Sequence, residues 1–335
     1  MKRKILWLVI GLAIILIGIA VFTTLSLINS KAPNEENGKG RLIYIDRDDT
    51  ADSVRTKSAL GWRWGVYSRV FSYHTRTGRY HVLPGMTCLQ LYRLLRNGTQ
   101  EPMNFVVPTS RTMDKLAVTL SQSLMVDSAE IATALTDSTY LATRGYTTAT
   151  IPALFIPNTY EVYWDISVDK LIERMERENN RFWTAERKAK ADACGLTHEQ
   201  VATLASIVDE ETANDAEKPM IAGLYLNRLR IGMPLQADPT VKFAVGDFSL
   251  RRILGKHLKT VSPYNTYLIE GLPPGPIRIA SIAGLDAVLN HAEHNYLYMC
   301  AKEDFSGTHN FATTLSEHYR NARAYIKALN ARGIK

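Results

Sequence analysis

Residues 197–212 read THEQVATLASIVDEET, and this stretch predicts the central helix of the larger folded region. Thr197 is suited to cap the helix, and Gln200 stands where its side chain can return a hydrogen bond to the cap. The apolar residues expected on one face of the helix are Val201, Leu204, Ala205 and Val208, widened by Ile207. The residues expected on the opposite, polar face are Ala202, Thr203 and Ser206.

The three acids near the end of this stretch face different directions on the predicted helix. At about 100° per residue, Glu210 projects to the polar face and Asp209 lies on one shoulder. Glu211 falls between Leu204 and Ile207, inside the apolar face. A carboxyl group among apolar side chains loses hydration in its charged form, so its pKa should rise above about 4.3, as a general acid near neutral pH requires. The alternative is that the helix frays here and all three acids face water.

The N-terminal residues differ in character from the rest of the chain. Residues 2–4 are basic, and residues 5–28 are almost wholly apolar and long enough to span a bilayer. A cleavable signal peptide is the competing interpretation, although its expected cleavage site is poor. We expect a retained transmembrane helix with residues 1–4 as a cytoplasmic tail, because basic residues favour the cytoplasmic side. Residues 29–40 are polar, contain Pro and Gly, and are predicted to form a linker.

Composition argues against several classes of function. The 335 residues carry a formal net charge of +7 without a Lys/Arg stripe interleaved with aromatic residues, and so do not indicate a nucleic-acid partner. Cys88, Cys194 and Cys300 are far apart and form no Cys-x-x-Cys, which argues against a disulfide framework or a zinc motif. We expect them to be small buried side chains, and we expect no cofactor and no bound metal.

Two folded regions follow the linker and together predict an α+β protein. Residues 41–108 are predicted to form a small α+β module with a helix at 88–96, capped by Thr87, and strands at 41–45, 79–82 and 104–107. Residues 109–335 are predicted to form a mixed α+β domain. Its remaining predicted elements are helices at 112–124, 128–136, 167–193 and 315–329 and a strand pair at 296–301 and 308–312.

Several motifs in the second region resemble one known family. They are SIVDEET at 206–212, NRLRIGMPLQADPTV at 227–241, YNTY at 264–267, GLPPGPI at 271–277 and HNF at 309–311. Their order and spacing resemble the MltG-type (YceG-like) endolytic murein transglycosylases from about residue 109 to the end. Residues 79–107 resemble the LysM-like module of that family. The chain departs from the family at Glu210, where relatives often carry Lys, and near Ser281, which replaces part of a turn and can cap the following helix.

The resemblance implies a catalytic domain that cleaves the MurNAc–GlcNAc β-1,4 bond within peptidoglycan strands and leaves 1,6-anhydro-MurNAc ends. The catalytic glutamate of the family, directly before a threonine, corresponds to Glu211, which the helical spacing selects independently. Candidate substrate-binding residues are Gln236, Asp238, Tyr264 and Asn265, and candidate supporting residues are Asn227, Tyr267 and His309. The implied setting is a bacterial cytoplasmic membrane, with the catalytic domain on the outer side and peptidoglycan synthases as partners.

Three alternatives stay open. A hydrolysing muramidase would combine one acid with Asp238 or Asp209 as a second carboxylate. A protein without catalytic activity would bind the wall or tether a synthase. The third alternative is a zinc enzyme whose ligands would come from His291, His294, His309 and His318. The sequence contains no recognised ligand spacing such as His-Glu-x-x-His.

Overall fold

The protein is described by a computed structural model over residues 2–34, 40–250 and 252–333. The chain forms two compact units, and both contain helices and a short two-stranded sheet, in agreement with the predicted mixture of helix and sheet. Unit 1 comprises Met1–Phe105, Ser123–Met125 and Glu161–Ile166, and unit 2 comprises Val106–Gln122, Val126–Tyr160 and Ser167–Lys335. The domain boundaries drawn from the sequence and the LysM-like assignment stay predictions.

A long apolar helix, α1, occupies Lys2–Asn29. Its segment Arg3–Asn29 is long and apolar enough to cross a membrane, judged by length and composition. The first part of the predicted linker is not free, because Lys31 forms an antiparallel bridge with Thr87. Residues 35–39 of that linker lie outside the described residues.

Unit 1 contains an antiparallel pair of strands with two helices between them in sequence. The elements are β1 (Arg41–Ile45), α2 (Ala51–Ser58), α3 (Trp62–Val70), β2 (Gly78–Val82) and α4 (Cys88–Asn97). The predicted helix after Thr87 is confirmed, and Thr87 caps it while Gly98 ends it in the left-handed conformation that glycine favours. The sequence analysis missed α2 and α3, because α2 has few apolar residues and α3 is apolar on more than one side.

Two further strands, β3 (Met103–Val107) and β4 (Asn158–Val162), form a second two-stranded sheet. Unit 2 is mainly helical. Its helices are α5 (Met113–Ser121), α6 (Ser128–Thr136), α7 (Ser138–Thr143), α8 (Val168–Phe182), α9 (Ala185–Ala193), α10 (His198–Glu211), α11 (Lys218–Arg230), α12 (Asp238–Val245), α13 (Ile282–Leu289) and α14 (Leu315–Ala331). Its last strands, β5 (Tyr298–Ala301) and β6 (His309–Ala312), pair antiparallel, which confirms the predicted strand pair.

The single helix predicted at 167–193 is wrong, because the chain forms α8 and α9 there. Trp183 follows α8 with its side chain buried and its ring stacked on His198, with 4.2 Å between the ring centroids. Thr184 then caps α9 by accepting a hydrogen bond from the Arg187 N–H at 3.3 Å. The buried ring and the cap together interrupt a sequence whose charges alone suit one long helix.

Helix α10 begins at the predicted capping box but is buried on all sides in its central part. Residues 201–208 are all buried, so the predicted polar face at Ala202, Thr203 and Ser206 is wrong. The hydroxyl of Ser206 donates to the Thr203 carbonyl at 2.7 Å and accepts from the Ile277 N–H at 3.0 Å. Small polar side chains that are satisfied internally allow neighbouring segments to approach the helix closely.

Helices packed against α10 position the side chains at its C-terminal end. Helices α11, α12 and α13 all pack against it, while α14 packs against β5 and β6. Ser281 caps α13 by accepting from the Gly284 N–H at 2.9 Å, as predicted from the sequence. The core of unit 2 is therefore built around α10, which ends at the three acids.

Candidate active site

A cavity of about 460 Å³ lies at the C-terminal end of α10. Glu211 is the last residue of that helix, and the N–H of the extended Thr212 still bonds the Val208 carbonyl at 3.2 Å. The helix therefore stays intact up to the acids, and the Glu211 side chain lines the cavity. Charged, amide and aromatic groups in the walls include Tyr225, Arg228, Gln236, Asp238, Tyr267 and His309.

The pKa of the Glu211 carboxyl is raised to about 6, chiefly because burial removes hydration from its charged form. The Tyr225 hydroxyl donates to Oε1 of Glu211 at 2.6 Å, and this bond opposes part of the rise. His309 and Arg228 also oppose it, whereas the negative charge of Asp238 adds to it. The predicted rise is present, but a set of polar and charged neighbours adjusts it, where the sequence analysis expected apolar neighbours alone.

Helix α11 supplies two groups that the sequence analysis missed, Tyr225 and Arg228. Both are buried on the face of α11 that includes Leu224. The Arg228 side chain donates from Nε to the Leu297 carbonyl at 2.6 Å and from Nη1 to the Leu235 carbonyl at 2.7 Å. The sequence does contain a signal for this pair, because Arg228 is a charged residue three positions after Tyr225 on an apolar helix face. These bonds hold the chain on both sides of the cavity.

Gln236, in the loop before α12, and Asp238, the first residue of α12, line the cavity as candidate substrate-binding residues. Gln236 has a φ of 50°, a left-handed conformation that costs a non-glycine residue about 1 kcal/mol or more. The buried Thr266 holds this loop, because its carbonyl accepts from the Gln236 N–H and its hydroxyl accepts from the Ala237 N–H, both at 3.0 Å. Its hydroxyl also lies 2.8 Å from that of Thr240.

The YNTY segment contributes one side chain to the cavity, that of Tyr267. Its hydroxyl donates to Oδ1 of Asp238 at 2.7 Å, and burial followed by this contact raises the pKa of Tyr267. The structure does not bring Tyr264 and Asn265 into the cavity lining. The Asn265 amide donates to two backbone carbonyls and its Oδ1 accepts from the Tyr267 N–H at 3.1 Å, while the Tyr264 ring packs 4.6 Å from that of Phe243.

His309 and Asn227 take different positions relative to the cavity. His309 lines it, and the buried Glu217 accepts from its backbone N–H at 2.6 Å and lies 3.0 Å from its Nδ1. The sequence analysis missed this role of Glu217. The Asn227 amide lies outside the lining and donates to the carbonyls of His294, at 2.6 Å, and Tyr296, at 3.2 Å. Asn227 therefore holds the segment that leads into β5.

Asp209 is enclosed by structural partners. Its side chain is only 3% exposed and lies 2.7 Å from Nζ of the buried Lys218. It also accepts from the Ser281 N–H at 2.6 Å and from the Ser281 hydroxyl at 2.7 Å. These contacts join the end of α10 to the starts of α11 and α13. They give Asp209 no place in the cavity and weaken the interpretation that it is the second carboxylate of a hydrolase.

Glu210 was predicted to be solvated, and this prediction is wrong. Its side chain is 13% exposed and accepts two hydrogen bonds from the Arg111 guanidinium, both at 2.8 Å. Arg278 donates a third at 2.8 Å. Among the residues that the structure describes, Glu211 is thus the one acid of the three without an ion pair.

Three of the four histidines considered for zinc have hydrogen-bond partners, His309 through Glu217 as described above, and the fourth, His318, stacks on Tyr298 with its Nδ1 unpaired among the residues that the structure describes. His294 Nε2 lies 2.9 Å from the Met220 carbonyl, and His291 Nδ1 lies 3.2 Å from the Val288 carbonyl. Over residues 2–34, 40–250 and 252–333, no three His, Cys, Asp or Glu side chains form a group that could hold a metal ion.

Comparison with known proteins assigns the family. The profile of the YceG-like family matches residues 48–324, which is most of the chain. The chain belongs to the YceG-like family. All the residues that line the cavity with Glu211 fall inside the matched range, and α1 precedes it.

Curated relatives of this YceG-like chain include two bacterial proteins named endolytic murein transglycosylase. The protein of Bacillus subtilis (strain 168) is 36% identical over 166 residues, which cover 50% of this chain and 45% of the relative. The protein of Streptococcus pneumoniae (strain ATCC BAA-255 / R6) is 26% identical over 303 residues, which cover 80% of this chain and 54% of the relative. The chain therefore spans about half the length of the curated relatives it matches.

A solved structure also resembles this YceG-like chain. A Listeria monocytogenes protein described as yceG-like superposes with a TM-score of 0.56 and 23% sequence identity. The match covers 84% of this chain and 98% of the Listeria chain. At this identity the likeness shows the fold alone.

Proposed function

We propose that this YceG-like protein is an endolytic murein transglycosylase that cleaves the MurNAc–GlcNAc β-1,4 bond within peptidoglycan strands, with Glu211 as its single catalytic acid and base. The observation that carries the proposal is the pKa of about 6 of Glu211 at the wall of a cavity. A carboxyl group with this pKa is available in both protonation states near neutral pH. The names of the B. subtilis and S. pneumoniae relatives support the substrate class.

In the first step, the Glu211 carboxyl transfers its proton to the glycosidic oxygen as the bond from that oxygen to C1 of MurNAc breaks. Positive charge develops at C1 and needs a negative group nearby. Asp238 lines the same cavity, and the Tyr267 hydroxyl fixes the direction of its carboxylate at 2.7 Å. Asp238 is therefore the group that we assign to stabilising the charge at C1.

In the second step, the Glu211 carboxylate accepts the proton of the C6 hydroxyl of the same MurNAc while the C6 oxygen bonds to C1. This closes the 1,6-anhydro ring and restores the protonated acid. The Tyr225 hydroxyl, 2.6 Å from Oε1, stabilises the carboxylate between the two steps and leaves Oε2 to carry the proton. Because the nucleophile belongs to the same sugar, no second carboxylate is needed to activate a water molecule.

The cavity walls suit a neutral, hydroxyl-rich ligand. Tyr267, Tyr298 and Tyr319 present aromatic rings, and Gln236 presents an amide. Sugars offer C–H faces that pack on aromatic rings and hydroxyls that bond to amides. We assign these four side chains to substrate binding, with Gln236 held in its direction by the bonds of its loop to Thr266.

We place the protein in a bacterial cytoplasmic membrane through α1, with its N-terminus in the cytoplasm and the rest of unit 1 and all of unit 2 outside. The apolar composition of Arg3–Asn29 and the basic residues at the start of the chain support this orientation. The proposal includes a LysM-like role for residues 41–108 and peptidoglycan synthases as partners in the membrane. An active site carried next to the membrane would act on nascent strands and terminate their growth.

Product analysis tests the activity. Full-length protein in detergent is incubated with purified peptidoglycan, and the glycan ends are identified by mass spectrometry. We expect 1,6-anhydro-MurNAc ends from the wild type, and a rate lower by about 100-fold or more for Glu211→Gln, which removes general acid and base catalysis. Glu199→Gln is the matched control, because Glu199 is an exposed acid on the same helix, and its rate should equal that of the wild type.

The same experiment separates the alternatives. Reducing MurNAc ends would show a hydrolase, for which Asp238 in the cavity is the available second carboxylate, and Asp238→Asn should then stop water attack. Cleavage that is unchanged in Glu211→Gln would exclude Glu211 as the catalyst. No cleavage by the wild type would favour a protein that binds the wall or tethers a synthase.

A further inference from the structure

The C-terminal end of α1 is fixed to the rest of unit 1 by direct hydrogen bonds. The hydroxyl of Tyr67, on α3, donates to the Leu27 carbonyl in the last turn of α1 at 2.5 Å. Just beyond α1, the Ala32 N–H donates to the Met86 carbonyl at 2.8 Å. The rest of unit 1 therefore begins where the apolar helix ends, without a free tether between them.

The length of α1 places this junction in the headgroup layer of a bilayer that α1 crosses. The apolar run begins at Ile5, and about 20 residues at about 1.5 Å each cross a hydrocarbon core of about 30 Å. The outer edge of that core then falls near Thr24, and the Leu27 carbonyl lies about 5 Å farther out. Because the headgroup layer is about 5–7 Å thick on each side, Tyr67 and α3 lie at the level of the headgroups. Any tilt of α1 moves them closer to the core.

Helix α3 carries apolar side chains on the face that points away from the core of unit 1. Trp64 and Tyr67 are buried, whereas Trp62 is 57% exposed and Val70 is 68% exposed. Trp62 and Val70, with the half-buried Val66 between them, are spaced by four residues and form one stripe along the helix. An exposed apolar stripe on a helix that already buries its other face indicates a second apolar environment.

Helix α3 carries positive charge that suits an anionic lipid surface. Arg63 and Arg69 lie on α3, and the Arg63 guanidinium is 5.0 Å from the centroid of the Trp62 ring. Tryptophan and arginine next to an apolar stripe are typical of helices that lie in a membrane interface. Four aspartates lie in the turn after β1 and the start of α2, namely Asp46, Asp48, Asp49 and Asp52.

These aspartates follow the C-terminal end of β1. The Arg41 guanidinium, at the start of β1, donates to the Ser58 carbonyl at 3.0 Å, close in sequence to the start of α3. Strand β1 then runs five residues, or about 16 Å, to the acidic turn. Within this turn Asp49 is paired with Lys57, whereas Arg63 and Arg69 on α3 supply positive charge that an anionic surface attracts.

We propose that the outer face of α3 is a lipid-binding surface that rests in the headgroup layer of an anionic phospholipid bilayer. Trp62 and Val70 insert between the lipids, and Arg63 and Arg69 face the lipid phosphates. The inference rests on the proposed membrane anchoring of α1 and goes beyond it, because a single span alone leaves unit 1 free to move away from the surface. With α3 resting on the lipid, the part of unit 1 that follows α1 stays at a fixed height above the membrane.

Spin labels on the full-length chain in nanodiscs of phosphatidylcholine and phosphatidylglycerol test the proposal. Cys194 and Cys300 are replaced by Ala, the buried Cys88 is retained, and single labels are introduced by Trp62→Cys and Val70→Cys. Both positions are exposed, so the core of unit 1 is left intact. Power-saturation electron paramagnetic resonance then compares collisions of each label with oxygen, which concentrates in lipid, and with a water-soluble nickel complex. We expect both labels to favour oxygen over nickel.

Two reference labels calibrate the result. Leu16→Cys lies within α1 and reports the lipid interior, and Asp48→Cys lies in the acidic turn of the same unit and reports water. The labels at Trp62 and Val70 should have oxygen-to-nickel ratios between these two references. Ratios equal to that of Asp48→Cys, with Leu16→Cys in lipid, would overturn the lipid-binding surface and leave the anchor intact. A water-exposed label at Leu16→Cys would overturn the anchor itself, and the lipid-binding surface with it.

Discussion

Replacing Glu211 by Gln should stabilise unit 2 at alkaline pH and have little effect at acid pH. The pKa of Glu211 is about 6 in the folded protein against an ordinary value of 4.5, a difference that corresponds to about 2 kcal/mol of folding free energy. Since the folded state holds the proton more tightly, the wild type loses this stability as the pH rises from 4.5 to about 6. The amide of Gln carries no charge, so its advantage should approach about 2 kcal/mol at pH 8 and vanish near pH 4.

Hydrogen exchange in increasing urea, measured by mass spectrometry on peptides of α10 and α11, reports the unfolding of unit 2 directly. Glu210→Gln is the matched control, because it removes the neighbouring acid but leaves Arg111 and Arg278 without their partner. We expect it to lower the free energy of unfolding by about 1–3 kcal/mol at pH 8. A Glu211→Gln protein that is no more stable than the wild type at pH 8, or equally stabilised at pH 4 and pH 8, would refute the reasoning.

Three further outcomes are expected. Tyr225→Phe removes a hydrogen bond that lowers the pKa of Glu211, so the fall of kcat/KM above about pH 6 should move to higher pH; an unchanged profile would contradict the role of this bond. Asp209→Asn leaves the buried ammonium of Lys218 with a single, exposed carboxylate partner and should cost about 3 kcal/mol in the free energy of unfolding, measured in urea, whereas a cost near zero would show that the pair is dispensable. Gly284→Ala would place a Cβ 2.6 Å from Oδ1 of Asp209 and should lower the melting temperature. A melting temperature equal to that of the wild type would contradict this expectation.

The local parts of the fold could be predicted from the sequence. The start of α10 follows from Thr197 and Gln200, and the direction of Glu211 follows from the helical repeat. Both signals act within a few residues, where backbone geometry fixes which groups meet. The same reasoning located α6 and the cap of α4.

The partners of the acids could not be predicted, because they come from distant parts of the chain. Helical spacing correctly separated Glu210 from Glu211, but it does not show what faces each side of the helix. Glu210 meets Arg111, 99 residues before it, and Arg278, 68 residues after it. Tyr225 reaches Glu211 only because α11 packs against α10.

The motif resemblance identified loops but not the side chains that face the cavity. Four loop residues were chosen as substrate-binding candidates, and the structure brings Gln236 and Asp238 to the cavity lining but not Tyr264 or Asn265. The amide of Asn265 is used by backbone carbonyls of its own loop, which only the folded loop reveals. Tyr267, two residues later, takes the position in the wall.

The three consecutive acids at the end of α10 make the protein sensitive to the number of residues that precede them. Each residue removed from or added to α10 would rotate its last turn by about 100° and displace it by about 1.5 Å. A one-residue deletion among residues 201–208 would carry Glu211 away from Tyr225 and turn the other acids from their Lys218 and Arg278 partners. The chain length between the cap at Thr197 and Glu211 is therefore as much a requirement of the site as the carboxyl group itself, so evolution can substitute residues in α10 far more readily than it can insert or delete them.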